Sequence, residues 1–397
     1  MVKKVFASLR DINKPGSLAA VIALVTIATF GMIIMISTKQ SSALPSSVPM
    51  TAQLFARHDT GSQLPVLLNT KDNNLYRDIF RAQDNRKWKE ADWLAEQLSS
   101  KHLMGHVLGE RYLHPSYPSS AAELANWLKQ YSDHPQAYRI YTLALRKNPQ
   151  MKLTPVYKKR ILQGYGDDNG LASWMAKSSY TQSWNHAVDA WRRQDNVQAA
   201  RLFSTLAGQT GLHTWKKSAS AFWAWRAYDS LGNKSQAEHY LHMAAQYPRT
   251  FYGVLARQKL GRSLALDSTP EALSDTEVLE LMGEQVIRRI ISLARIDATD
   301  LADAEMRQLF PTASTEEKYR LLTIASELNL ASAQIAMARQ LATQDQRLDF
   351  ARYPIPAWQP HSGFRIDPAL IYAMARQESG FRNDAVSHAG ATGVMQL

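Results

Sequence analysis

The chain has 397 residues, enough for two or three domains. Its 45% hydrophobic and 20% charged content excludes a wholly disordered protein, and the absence of cysteine excludes disulfides, thiolate metal sites and a cysteine nucleophile. The formal net charge of +11 favours an anionic partner, such as a nucleic acid, a phospholipid surface or an acidic polymer.

Residues 1–40 contain a candidate membrane segment. Basic residues between Lys3 and Lys14 precede an uncharged run over 18–36, which is about as long as the ~20 residues that a bilayer-crossing helix needs. We favour an uncleaved anchor over a cleaved export signal, for which Ser41 and Ala43 would form the cleavage site. Either interpretation predicts a periplasmic protein, tethered to the inner membrane or exported by a signal peptide.

A linker and a long helical domain are predicted next. Residues 41–69 are rich in Ser, Pro, Thr and Gln and have no sustained periodicity, which is typical of a linker. Over 70–350, apolar and small residues recur at spacings of three and four, which predicts helices and not strands. The predicted fold is therefore all-α, a superhelical α-solenoid of helix pairs.

Two segments show the predicted helix pairs most clearly. Residues 187–191 and 199–203 flank a turn at Asn196, and residues 222–227 and 237–248 flank a turn at 231–233. In each pair, aromatic residues on one helix would face alanines on the next. The 10 Trp and 16 Tyr residues could also form a sugar-stacking surface, but at helical spacing we expect them to pack in the interior.

His102, His106 and Glu110 have the spacing of metal ligands on one helical face. We nevertheless expect no metal and no cofactor, because zinc sites need further ligands and an ordered second shell. A solvated or hydrogen-bonded stripe is the preferred interpretation. The chain contains no HExxH motif and no phosphate-binding glycine loop.

A short helix near residue 378 is the strongest candidate for chemistry. Asp367 suits an N-cap, Pro368 the first helical position and Gly380 the C-terminal cap. An apolar face of Leu370, Ile371, Met374 and Ala375 would place Glu378 on the buried side. Burial and the negative end of the helix dipole would then favour a protonated carboxyl, able to donate a proton to a leaving oxygen.

The residues that follow supply neutral hydrogen-bonding groups. Ser387 precedes the segment 390–396, in which two glycines allow a close approach of backbone to a ligand. Ser387 and Gln396 are candidates for binding sugar hydroxyls or an N-acetyl group. Asp384 is the only nearby acid beyond Glu378, and we expect it to be a solvated loop residue.

Read together, Glu378–Phe381, Ala385–Ser387 and Gly390–Leu397 closely resemble the opening of the lytic transglycosylase (SLT) domain, the goose-lysozyme-like branch of the lysozyme superfamily. The segments 103–115 and 251–253 resemble parts of the superhelical domain that precedes it in soluble-type members. The resemblance predicts that residues 351–397 are the start of a lysozyme-like α-helical catalytic domain, incomplete because the later family motifs are absent.

The resemblance implies a peptidoglycan lyase. Glu378 would protonate the glycosidic oxygen between N-acetylmuramic acid and N-acetylglucosamine, then deprotonate the C6 hydroxyl to form a 1,6-anhydro ring, while Ser387 and Gln396 contact the substrate. Peptidoglycan strands and, through residues 1–40, the cytoplasmic membrane are the expected partners, with no nucleic acid. The alternative is a membrane-tethered helical scaffold that binds wall polymer or a protein without turnover, because the catalytic domain is incomplete.

Overall fold

A computed structural model describes residues 64–164, 179–264, 269–341 and 348–397. These residues divide into two compact units, Leu64–Pro356 and Ala357–Leu397. The predicted membrane segment at 1–40 and nearly all of the predicted linker lie outside the described residues, so both stay predictions. Among the described helices, none combines the length and the apolar character needed to cross a bilayer.

The all-α prediction is confirmed for the described residues, which contain helices and one isolated antiparallel bridge, Val386 to Thr392, but no strand. The α-helices in chain order are α1 (Thr70–Asp84), α2 (Trp88–Glu96), α3 (Met104–Leu113), α4 (Ala121–Tyr131), α5 (Ala137–Lys147), α6 (Ser179–Arg192), α7 (Asn196–Ala207), α8 (Thr214–Ser230), α9 (Lys234–Ala245), α10 (Phe251–Lys259), α11 (Asp275–Gly283), α12 (Gln285–Arg295), α13 (Thr299–Leu309), α14 (Thr315–Glu327), α15 (Ala331–Leu341), α16 (Asp349–Arg352) and α17 (Pro368–Glu378).

Local capping explains where several helices begin. Ser120, Ser274 and Ser314 each form a capping box with a glutamate three residues later, which satisfies backbone donors in the first turn. The predicted turn at Asn196 is displaced by one residue: Asp195 accepts from the backbone N–H of Gln198 and caps α7. Asn196 is therefore the first helical residue.

Helices from both ends of the larger unit share one apolar core. The buried cluster draws on residues of 64–107 and of 273–351, about 200 positions apart in the chain. Arg77 strengthens the same junction, since its Nε lies 2.8 Å from Asp297 and its Nη2 donates to the carbonyl of Arg295 at 2.6 Å. A strictly linear array, in which each repeat contacts only its neighbours, would lack such a junction.

A buried polar network crosses the same junction. Arg289 on α12 donates from Nε and Nη2 to the two carboxylate oxygens of Glu305 on α13, at 2.7 and 3.2 Å. Its Nη1 lies 2.8 Å from Asp133, which also contacts Nδ1 of His134 at 3.0 Å. His106 on α3 completes the network, with Nε2 placed 2.9 Å from Glu305. Three segments of the unit are thus joined through the buried side chains of Arg289, Glu305 and His106 and through the partly exposed carboxylate of Asp133.

Aromatic side chains fill the interior between paired helices, as expected. Trp127 and Tyr76 are fully buried, and Phe222 packs among alanines of α7, α8, α9 and α10. The prediction does not hold for every aromatic residue, because Trp93 and Tyr157 are 62% and 80% exposed.

The corner between α9 and α10 requires a glycine. A Cβ on Gly253 would lie 1.8 Å from the carbonyl oxygen of Tyr247, so no residue with a side chain fits there. Thr250 caps α10 by accepting from the N–H of Gly253, and its hydroxyl donates to Ser218 on α8 at 2.7 Å. The corner is therefore held by close backbone packing and by a bond to α8.

Replacing Arg289 with Met tests the network. The substitution leaves Glu305 buried without its cation, so we expect the free energy of unfolding to fall by about 3–5 kcal/mol. Arg81→Gln is the control, because the ion pair of Arg81 with Asp78 is exposed to solvent. This substitution should lower the free energy of unfolding by less than about 1 kcal/mol. Urea unfolding measures both. Equal losses would contradict the assignment.

Acid should destabilise the protein through the same residues. Burial lowers the pKa of His134; burial opposes ionisation of Glu305, but the hydrogen bonds from His106 and Arg289 outweigh it and lower that pKa too. The unfolded chain therefore binds these protons more readily, and stability should fall first below the ordinary histidine value of 6.5 and further below the ordinary glutamate value of 4.5.

The measurement is the urea midpoint as a function of pH. His134→Asn keeps a donor for Asp133 but cannot titrate. The decrease of the urea midpoint between about pH 7.5 and about pH 5.5 should therefore be smaller in this variant than in the wild type. An unchanged slope would assign the acid sensitivity to other groups.

Candidate functional site

The sequence of α17 sets both of its ends as predicted. Asp367 accepts from the backbone N–H of Ala369 at 2.9 Å, and Pro368 occupies the first turn. At the other end Gly380 has φ +60°, a left-handed conformation that favours glycine. Its N–H bonds to the carbonyl of Arg376 at 3.1 Å, and the chain turns sharply just after Glu378.

The predicted packed face of α17 is wrong at Leu370, Met374 and Glu378, whereas Ala375 is buried and Ile371 is half-buried. The buried positions are Tyr372, Ala375 and, just past the helix, Ser379. Leu370 is 45% exposed and Met374 36% exposed, and Glu378, which follows them at four-residue spacing, is exposed too. Burial therefore does not act on the carboxyl of Glu378 in this structure.

Aromatic packing decides which face of α17 is covered. The ring of Trp358 lies 5.4 Å from that of Tyr372 and 5.6 Å from that of Phe381, and Phe364 makes an edge contact with Tyr372 at 6.0 Å. Large rings thus cover the Tyr372 side of the helix. The Glu378 side is left accessible to a ligand.

Ser387 organises the loop that follows. Its backbone N–H donates to the carbonyl of Ala391 at 2.8 Å, and its hydroxyl accepts from the N–H of Ala391 at 3.0 Å. The N–H of Gly390 bonds to the carbonyl of Ser387, which closes a tight turn. The predicted sugar-binding hydroxyl is half-buried and already bonded within its own loop.

Gln396 is likewise engaged within the loop. Its side-chain amide donates to the carbonyls of Ala385 at 3.1 Å and Gly393 at 2.8 Å. The backbone of Gln396 has φ +50°, which costs energy for a residue other than glycine. These bonds hold the two sides of the loop together, so a sugar that bonded to this amide would replace them.

Ser379 links the loop to the helix, a role that the sequence analysis missed. Its hydroxyl lies 2.8 Å from the carbonyl of Val394 and 3.1 Å from that of Ala375. The structure thus holds the segment just before Gln396 against the residue that follows Glu378. A small polar residue after a helix usually indicates only a cap, so the sequence offered no separate signal for this tie.

The remaining acid near the helix is at the surface, as expected. Asp384 is exposed and accepts from Nε of Arg382 at 2.9 Å. This local pair satisfies the carboxylate without any contact to Glu378.

The predicted hydrogen-bonded stripe forms only in part. His102 precedes the first residue of α3. In contrast, His106 and Glu110 lie on the helix, and both contact the side-chain amide of Gln136 at 3.2 Å.

Ligand atoms of His106, His134 and Glu305 come within 4.8 Å of one another in the buried network. Arg289 already bonds to both oxygens of Glu305, and its guanidinium would repel a cation there. The described residues therefore favour a hydrogen-bonded network at this cluster over a metal site.

Ser379→Ala tests the helix-to-loop tie. Loss of one hydrogen bond should weaken the loop by about 1 kcal/mol and speed amide hydrogen exchange at Gly393, whose N–H bonds to Ala385. Exchange followed by mass spectrometry measures the change. Asp384→Asn, in the same loop but outside the tie, should exchange as the wild type does; equal effects would contradict the assignment.

Parts of the chain are similar to known proteins. Residues 357–397, which coincide with the smaller unit, match the Transglycosylase SLT domain family. A Haemophilus influenzae protein, whose name assigns it as a soluble lytic murein transglycosylase, is 27% identical over 229 residues, covering 54% of this chain and 37% of that protein.

A solved structure also resembles the chain. An inactive mutant of the lytic transglycosylase Slt from Pseudomonas aeruginosa matches with a TM-score of 0.39 and 16% identity, over 82% of this chain and 56% of that one. The chain spans little more than a third of the Haemophilus protein. The chain is thus similar to a soluble lytic murein transglycosylase over 229 residues, and residues 357–397 match the Transglycosylase SLT domain family.

Proposed function

We propose that the protein cleaves peptidoglycan as a lytic transglycosylase, with Glu378 as acid and base. The observation that supports this most directly is the position of Glu378 in the last turn of α17, within the segment that matches the SLT family. The proposed substrate is the β-1,4 bond between N-acetylmuramic acid and N-acetylglucosamine. Because that polymer lies outside the cytoplasmic membrane, the proposed location is the periplasm.

One carboxyl suffices for the proposed reaction. Glu378 donates its proton to the glycosidic oxygen as the bond from that oxygen to C1 breaks. The resulting carboxylate takes the proton of the C6 hydroxyl, and O6 bonds to C1 to close the 1,6-anhydro ring. No water is consumed and the carboxyl is regenerated, which explains why no second acid is needed, unlike in hydrolytic glycosidases.

The exposure of Glu378 shapes this proposal. Because Glu378 is exposed, the glycan itself would exclude water from the carboxyl when it covers the Glu378 side of α17. Leu370 and Met374 lie exposed on the same side and offer apolar surface to a sugar ring. Ser387 and Gln396 are the proposed polar contacts to the sugar. To make them, each side chain would replace its hydrogen bonds within the loop by hydrogen bonds to the substrate.

Glu378→Gln should abolish the proposed proton transfers. Release of soluble fragments from purified peptidoglycan should fall by roughly 10²-fold to 10⁴-fold, because the amide neither donates nor accepts the proton. Mass spectrometry of the products is the measurement, and the wild type should yield anhydro-muramic ends. Asp384→Asn is the matched control and should keep its rate within about twofold.

Two outcomes would reject the proposal. Products ending in reducing muramic acid would indicate a hydrolase. Turnover that persists unchanged in Glu378→Gln would remove the residue from its role.

A further inference from the structure

The middle helices of the larger unit carry an excess of positive charge. Residues 179–264, which contain α6 to α10, hold eleven Lys and Arg against four Asp and Glu. A cationic surface favours association with anionic groups. Within this segment, Arg226 is a cation with aromatic surroundings.

Arg226 on α8 lies against two indole rings that are nearly perpendicular to each other. Its guanidinium carbon lies 5.0 Å from the ring centre of Trp191 on α6 and 4.7 Å from that of Trp223 on α8. The two rings meet edge to face at 5.7 Å, and Trp223 also stacks on Phe203 of α7 at 5.9 Å. Residues of α6 and α8 thus surround the guanidinium in a cluster, here called the Arg226 clamp and defined by Trp191, Trp223 and Arg226. Phe203 of α7 supports the Trp223 ring.

The guanidinium of Arg226 makes no ion pair and no side-chain hydrogen bond within the described part of the chain. Neighbouring arginines are paired: Arg192 lies 3.6 Å from Asp189, and Arg249 bonds to both oxygens of Asp349. Arg226 is half-buried, and desolvation by burial lowers its pKa. A desolvated cation whose donors are unused gains more than a solvated one when an anion arrives.

The shape of the site selects among anions. A guanidinium presents parallel donors that match the two oxygens of a carboxylate, and contact with two indole rings restricts its position in advance. We propose that the Arg226 clamp binds a carboxylate of the peptide stems attached to the glycan strand. This inference rests on the proposed function for the choice of ligand. The clamp would position the wall polymer through its peptides, separately from the sugars bound near Glu378.

The experiment measures binding without turnover. Titration calorimetry in the Glu378→Gln background compares a purified disaccharide tetrapeptide, the free stem tetrapeptide and an N-acetylglucosamine oligomer that has no carboxylate. We expect both peptide-bearing ligands to bind and Arg226→Gln to weaken them about tenfold or more, the loss of a charge-assisted bond. Binding of the sugar oligomer should not change.

Two further variants keep the test decisive. Arg192→Gln removes an exposed charge next to Trp191 and should keep peptide affinity within about twofold. Arg226→Lys keeps the charge but not the planar guanidinium, so we expect an intermediate loss of affinity for the tetrapeptide. If Arg226→Gln has a lowered melting temperature, the affinity of Arg226→Lys decides the test.

The proposal is overturned if Arg226→Gln and Arg226→Lys bind the tetrapeptide as tightly as the unsubstituted residue. It is also overturned if inorganic phosphate or anionic phospholipid vesicles compete with the tetrapeptide at equal concentration, which would show a general anion site. Its failure differs from failure of the proposed function, because anhydro-product formation by the protein with Glu378 intact is measured independently of peptide affinity.

Discussion

The larger unit depends on one charge arrangement, the contact of the buried Arg289 with the buried Glu305 and with the partly exposed Asp133. It joins α12 and α13 to the segment between α4 and α5, and His106 brings α3 to the same point. Burying ions in this way costs solvation, which only well-placed partners repay. The network therefore fixes which helices meet, whereas the surrounding apolar core supplies the bulk of the favourable burial.

The smaller unit is organised by shorter-range contacts. Rings of Trp358, Phe364 and Phe381 cover Tyr372, and the hydroxyl of Ser379 holds the loop that contains Gln396. These contacts set the side of α17 on which Glu378 stands. Positioning of the carboxyl is thus a local property of about forty residues, in agreement with the extent of the family match.

Features that depend on neighbours in sequence could be predicted, and those that depend on distant neighbours could not. The spacing of apolar residues indicated the helix pairs, and Asp367 and Gly380 marked the ends of α17. The packed face could not be chosen, because Leu370 and Tyr372 sit on different apolar stripes of one helix. The aromatic partners Trp358 and Phe364 decide between them, and because they lie outside the helix its periodicity does not indicate them.

The junction between residues 64–107 and residues 273–351 could not be predicted from the sequence for the same reason. Arg77 and Asp297 are 220 positions apart, and nothing in either local pattern indicates the other. Likewise His106 had the spacing of a ligand stripe, but its true neighbours are Glu305 and Gln136. Helical periodicity predicts that a side chain packs against another element, but it does not identify that element.

The glycine corner before α10 has a thermodynamic consequence for recognition. Because Gly253 lets backbone touch backbone and Thr250 is bonded to Ser218, α8 cannot swing independently of α10. The indole of Trp223 and the side chain of Arg226 both project from that restrained helix. Because Trp223 and Arg226 are already held in place, they lose little conformational entropy when a ligand binds. More of the interaction free energy then remains as affinity, even for a small charged group.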